Sequence, residues 1–161
     1  MTPAEYNACV DQHADALFRF VVKNIKDRDS ARDVVQDTFE KMWLKVDKVE
    51  VSKAKSYLFT TGYHTMIDKI RKEQRSGLLE DHHEELVKTE NQYSDIKKVL
   101  DKALGTLNEI QRSVVMLRDY EGYSYEEIGE ITGLNESQVK VYIYRARLAL
   151  KNYLGSLEQL V

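Results

Sequence analysis

The sequence predicts an all-α protein: two small helical domains joined by a flexible acidic linker. Three observations carry that expectation. Apolar residues recur at spacings of three and four along most of the chain, the period of an amphipathic helix. The 161 residues include only seven Gly and one Pro, and no run alternates as a strand would. Between Ser76 and Tyr93 the stripe lapses into SGLLEDHHEELVKTENQY, which opens on Ser-Gly and is rich in acids. The expected boundaries are a first domain over 1–75, a linker over 76–94 and a second domain over 95–161.

Composition narrows the function classes. One cysteine, Cys9, excludes an internal disulfide and a cysteine-cluster zinc site. No apolar run reaches the ~18 residues that a membrane span needs. The start, MTPAEYNACV, lacks the basic and apolar segments of a signal peptide, so a cytoplasmic protein without membrane insertion is expected. Formal net charge is -3. It is unevenly spread. Residues 1–75 carry 14 Lys/Arg against 12 Asp/Glu, residues 76–95 one against six, and residues 96–161 nine of each. Attraction to phosphate is then local and modest, and tight binding to nucleic acid calls for a partner.

Thr2-Pro3-Ala4-Glu5 opens the first helix with a capping residue, a proline at the first helical position and a box-closing glutamate. Tyr6, Val10, His13, Leu17 and Val21 carry its apolar face to about Val22, with His13 read as a partly buried core histidine. Lys26 to Asp29 reads as a polar turn, and Ser30 as the cap of a second helix ending near Val46. Ala31, Val35, Thr38, Phe39 and Met42 form its inner face. Asp33, Gln36, Asp37 and Glu40 form an acidic outer stripe, and Trp43 at its edge either anchors a partner or closes the core.

After a loop over 46–52, residues 53–75 form a helix of different character. Leu58, Met66, Ile67 and Ile70 are its apolar face, while Tyr57, Phe59, Tyr63 and His64 are interleaved with Lys69, Arg71, Lys72 and other cations. Rings beside cations either stack on single-stranded nucleic acid or pack the core; period alone does not divide them. His64 and Asp68 are too few to hold a metal, and His82-His83-Glu84 has no supporting ligands, so no metal or cofactor is expected.

In the second domain Ile96, Val99, Leu100, Ala103, Leu104 and Leu107 form one amphipathic stripe around a break at Gly105. Asn108 and Gln111 cap the next helix, with Ile110, Val114, Leu117 and Tyr120 inward and Gly122 at its end. Ser124 and Glu127 box a short helix that Gly133 terminates; Asn135 and Gln138 box the last, which continues to about Tyr153. Leu157 and Leu160 suggest a tail that docks or frays. Val139, Ile143, Ala146 and Leu150 are the buried stripe of the last helix. Ser137, Lys140, Val141, Tyr144, Arg145 and Arg147 lie opposite. This is a helix-turn-helix pattern, although two amphipathic helices with a glycine turn occur in any bundle.

The order of these pieces resembles bacterial RNA polymerase sigma factors of the sigma-70 family, most closely the short extracytoplasmic-function (ECF) group. ARDVVQDTFEKMW (31–43) resembles the family's polymerase-binding segment, and SYLFTTGYHTMIDKIRKE (56–73) its promoter-melting and -10-element segment. Leu107, Arg112, Val114, Leu117-Arg118 and SYEEIGEITGLNESQVKVYIYRAR (124–147) resemble its C-terminal signature. Several positions depart from that pattern: Gly129 for Ala, His64 for Asn, Tyr57 for Trp, and Val141 and Tyr142 for Ser and Arg. Promoter sequences of better-known members therefore do not carry over.

The resemblance implies a promoter-recognition subunit of core RNA polymerase, not an enzyme, with an anti-sigma protein as a further partner. It implies polymerase contacts at Asp33, Gln36, Asp37, Glu40 and Trp43, and -10 single-strand contacts at Tyr57, Tyr63, His64, Lys69, Arg71 and Lys72. The 46–52 loop would lie near a flipped-out base. Contacts to the -35 duplex fall on Ser137, Lys140, Val141, Tyr144, Arg145 and Arg147. The alternative is a stand-alone helix-turn-helix regulator that binds paired half-sites as a dimer.

Overall fold

The structure, a computed structural model, describes residues 1–76 and 93–158. The chain divides into two compact units, Met1–Leu86 and Val87–Val161. Ser76 ends one helix and Tyr93 begins the next; the rest of the expected linker, His82-His83-Glu84 included, lies outside the described residues.

In the first unit three helices pack on one another: α1 (Pro3–Ile25), α2 (Arg28–Leu44) and α3 (Ala54–Ser76). The Thr2–Glu5 capping box is complete at 2.9 and 3.1 Å. α1 runs three residues past Val22, because Asn24 and Ile25 are buried and Lys26 closes it in the left-handed region (φ 64°). The cap of α2 is Asp27, not Ser30. The Asp27 carboxylate accepts from the Asp29 amide at 3.2 Å, and the Ser30 hydroxyl turns inward to Asp27 (2.8 Å) and Glu73 (3.1 Å). α2 ends at Leu44 instead of Val46, and the following segment holds two 3-10 turns, Val46–Lys48 and Val51–Lys53. Val34, not Val35, joins Ala31, Thr38 and Met42 in full burial, since 34, 38 and 42 repeat at four residues. Leu17, Phe20, Leu58, Phe59 and Met66 complete the core, where the Phe20 and Phe59 rings meet edge to face at 5.7 Å. His13 is half-buried, and burial followed by the Lys55 ammonium lowers its pKa.

The second unit has four helices: α4 (Tyr93–Gly105), α5 (Glu109–Asp119), α6 (Tyr125–Thr132) and α7 (Glu136–Glu158). Both sides of the Asn108–Gln111 box form, at 3.4 and 2.9 Å. Ala103, Leu104 and Leu107 are buried at the end of α4, but Ile96 (74% exposed), Val99 and Leu100 are not, so the expected stripe packs only in its C-terminal part. Tyr120 is likewise exposed: α5 stops at Asp119, and Tyr123 packs inward instead. The guanidinium of Arg112 is buried and donates to the carbonyls of Leu104 (2.9 Å) and Leu107 (2.6 Å). α7 extends five residues beyond Tyr153 and takes Leu157 with it, while Leu160 lies outside the described residues.

Gly129 lets α6 approach the turn that follows it. A Cβ there would stand 2.8 Å from the Leu134 carbonyl oxygen, which belongs to backbone and yields little. Gly129→Val should therefore lower the stability of this unit by about 1–2 kcal/mol despite the better helix propensity of valine. Denaturant titration checks this. An unchanged or raised midpoint would show that the turn adapts freely.

Candidate nucleic-acid interface

Local capping builds the helix-turn-helix. Ser124 and Glu127 exchange hydrogen bonds at 3.1 and 3.0 Å, which starts α6. Gly133 ends it at φ 81°, a conformation that costs glycine nothing, and its amide donates to the Gly129 carbonyl at 2.8 Å. Asn135 and Gln138 repeat the box at 2.8 and 3.0 Å and start α7. Val139, Ile143 and Ala146 are then buried, and Leu150 is half-buried. Ser137, Lys140, Val141, Tyr144, Arg145 and Arg147 are all exposed.

The three cations of that face differ. Lys140 pairs with Glu136 at 3.3 Å and lies 5.7 Å from the centre of the Tyr125 ring. Arg147 holds Asp119 with two hydrogen bonds, 2.6 and 3.2 Å, which tie α7 to the end of α5. That carboxylate is the main reason the Arg147 pKa is raised above its ordinary value. Arg147 is thus committed to an acid within the unit and does not present a free guanidinium. No ion pair to Arg145 occurs among the described residues, and Glu136 in the first turn of α7 is taken by Lys140.

Two residues outside the predicted set belong to this surface. Arg118 lies 4.6 Å from the centre of the Tyr125 ring and donates to the Tyr123 carbonyl at 2.8 Å. Tyr125 therefore sits between Arg118 and Lys140 and anchors both by cation–π attraction. Its position at the first residue of α6 offers no periodic signal of that role.

In the first unit Asp33, Gln36, Asp37 and Glu40 are exposed along α2. Trp43 is 47% exposed, its ring set edge-on to Tyr6 at 5.0 Å, while the Tyr6 hydroxyl donates to the Phe39 carbonyl at 2.9 Å. The indole is braced from behind and open in front. On α3, Tyr57 is half-buried and His64 exposed. Tyr63 is only 8% exposed, with His64 packed edge-on at 5.3 Å, so its ring belongs to the core instead of an open stacking surface. Lys69 is half-buried between Asp33 (3.7 Å) and Glu73 (3.9 Å). Arg71 and Lys72 are exposed and line a shallow recess with Asp68, Arg75 and Ser76. No group of three or more metal-ligating side chains occurs among the described residues.

Residues 9–76 match the family described as Sigma-70 region 2, and residues 97–150 match Sigma-70 region 4. RNA polymerase sigma factor SigV of Bacillus subtilis (strain 168) is 31% identical over 148 residues, 90% of this chain and 88% of that protein. The chain belongs to the RNA polymerase sigma factor family. ECF RNA polymerase sigma factor SigM of the same organism is 26% identical over 84% of this chain and 86% of its own length. Among solved structures, the sigma factor RpoE from Bartonella quintana, in complex with the anti-sigma factor NepR, superposes with a TM-score of 0.78 at 30% identity. That match covers 91% of this chain and 94% of RpoE. The two matched regions lie one in each unit, so the sigma factor is an ECF type and serves promoter recognition in transcription initiation. These matches support that function over a stand-alone regulator. Sigma factors are not an enzyme class.

Proposed function

We propose that this ECF sigma factor docks on core RNA polymerase through Asp33, Gln36, Asp37, Glu40 and Trp43 of α2. The opened -10 strand lies along Tyr57, His64, Lys69, Arg71 and Lys72 of α3, and the -35 duplex along Ser137, Lys140, Val141, Tyr144 and Arg145 of α7. The functional domains are 1–75 and 95–161, joined by 76–94. The observation that carries the reading is the face of α7: its apolar stripe is spent on the core, while Ser137, Lys140, Tyr144 and Arg145 are exposed on the opposite side. The protein carries out no chemical step itself and works in the cytoplasm, where core polymerase and promoter DNA are. Among the described residues no helix is long and apolar enough to cross a membrane. An anti-sigma protein is a further partner, a reading supported by the likeness to RpoE in its complex with NepR.

Purified protein mixed with bacterial core polymerase should select promoters from genomic DNA. Reversing charge at Asp33 and Asp37 together (Asp→Lys) should weaken co-purification with core well beyond the ~0.5 kcal/mol of an ordinary surface change. Undiminished co-purification would place the polymerase contact elsewhere.

A further inference from the structure

The outward face of α7 is not uniformly polar. Val141 is 45% exposed, Tyr144 68% and Leu148 45%, and at spacings of three and four they form one apolar column beside Arg145. The buried stripe of Val139, Ile143 and Ala146 already packs α7, so the column is surplus to the fold. Single exposed apolar residues are ordinary. A column of three on the second helix of a helix-turn-helix, flanked by Lys140 and Arg145, is not explained by packing.

We infer that Val141 is a specificity-determining residue that reads a thymine C5-methyl in the -35 major groove, with Tyr144 closing the apolar contact on one side. This rests on the proposed placement of α7 against the -35 duplex. The chemistry is selective. Base edges in the major groove offer hydrogen-bond donors and acceptors, and one apolar group only, the methyl of thymine. Valine has no donor or acceptor. Set against guanine, adenine or cytosine it dehydrates polar atoms without replacing their bonds. Set against thymine it buries a methyl. Arg145, one turn on, holds the register by a phosphate or guanine contact.

The test uses holoenzyme assembled from the full chain and core polymerase, on a promoter selected from a library randomised across the -35 element. Each thymine of the selected element is replaced singly by deoxyuridine, which removes only the methyl. One replacement should weaken binding about fourfold, the effect of one buried methyl-sized group. Val141→Ser should abolish that penalty and relax the base preference at the same position, with melting temperature unchanged because the site is exposed. A 5-methylcytosine at that position should recover part of the wild-type binding relative to cytosine. Wild-type binding that ignores every deoxyuridine, or a full penalty kept by Val141→Ser, would overturn this inference and leave the helix placement standing. Failure to enrich any -35 sequence would instead overturn the placement of α7, and this inference with it.

Discussion

Arg112→Ala should destabilise the second unit by about 3 kcal/mol or more, the largest single effect expected in this protein. The guanidinium is buried, and burial is the main cause that lowers its pKa, with Glu109 acting in the opposite sense. A guanidinium keeps its charge in proteins, and here two carbonyls accept its hydrogen bonds. The Leu104 oxygen also accepts from the Leu107 amide at 3.1 Å, whereas the Leu107 oxygen receives Arg112 at 2.6 Å. Truncation removes two charge-assisted bonds, each of about 1.5–3 kcal/mol, and opens a cavity behind them. Residue-resolved hydrogen exchange on the full chain separates the units. α4 and α5 should lose protection, and α1 to α3 should keep theirs. Protection of α5 within ~0.5 kcal/mol of wild type would mean that the turn survives without its staple.

The largest expected effect on promoter binding is at Arg145. Its side chain is exposed and has no acid partner among the described residues, so Arg145→Ala should leave stability unchanged. As a base reader it makes a bidentate contact, and its loss costs about 1–3 kcal/mol and relaxes one -35 position. As a phosphate clamp, its loss weakens all promoters alike and lowers the salt slope by about one unit. Promoter selection and salt titration with mutant holoenzyme distinguish the two. Wild-type affinity, selectivity and salt slope together would remove Arg145 from the interface.

Local chemistry made much of this fold legible. The boxes at Thr2, Asn108, Ser124 and Asn135 are four-residue patterns whose partners, three positions apart, are fixed by helix geometry, and each forms. The rest depends on residues far apart in sequence. Ser30 resembles a cap, yet its hydroxyl meets Glu73, which is 43 residues away. Arg147 looks like a free cation until Asp119, 28 residues back, is placed beside it. Arg112 stands in the signature that the sequence resembles, but no sequence pattern shows the two carbonyls that close over it. Tyr63 could have been assigned to the core. It continues the column of Phe59, Ile67 and Ile70, all buried, whereas Tyr57 and His64 fall off it. Ile96 and Leu100 carry a helical stripe with no described surface to receive it, which period alone does not reveal.

The 3.7 Å pair between Lys69 and Asp33 joins two surfaces assigned to different partners. On the proposed assignment, polymerase draws on Asp33 while the opened strand draws on Lys69, which the pair leaves partly neutralised. Engagement of the acid by polymerase then leaves Lys69 more electropositive towards the strand, and a phosphate on Lys69 frees the acid for polymerase. Such coupling is reciprocal by thermodynamic necessity. For a pair this exposed it amounts to no more than about 1 kcal/mol, roughly fivefold in either affinity. Assembly and strand capture thereby become two readings of one equilibrium, with the free protein biased against gripping single strands before it has found its enzyme.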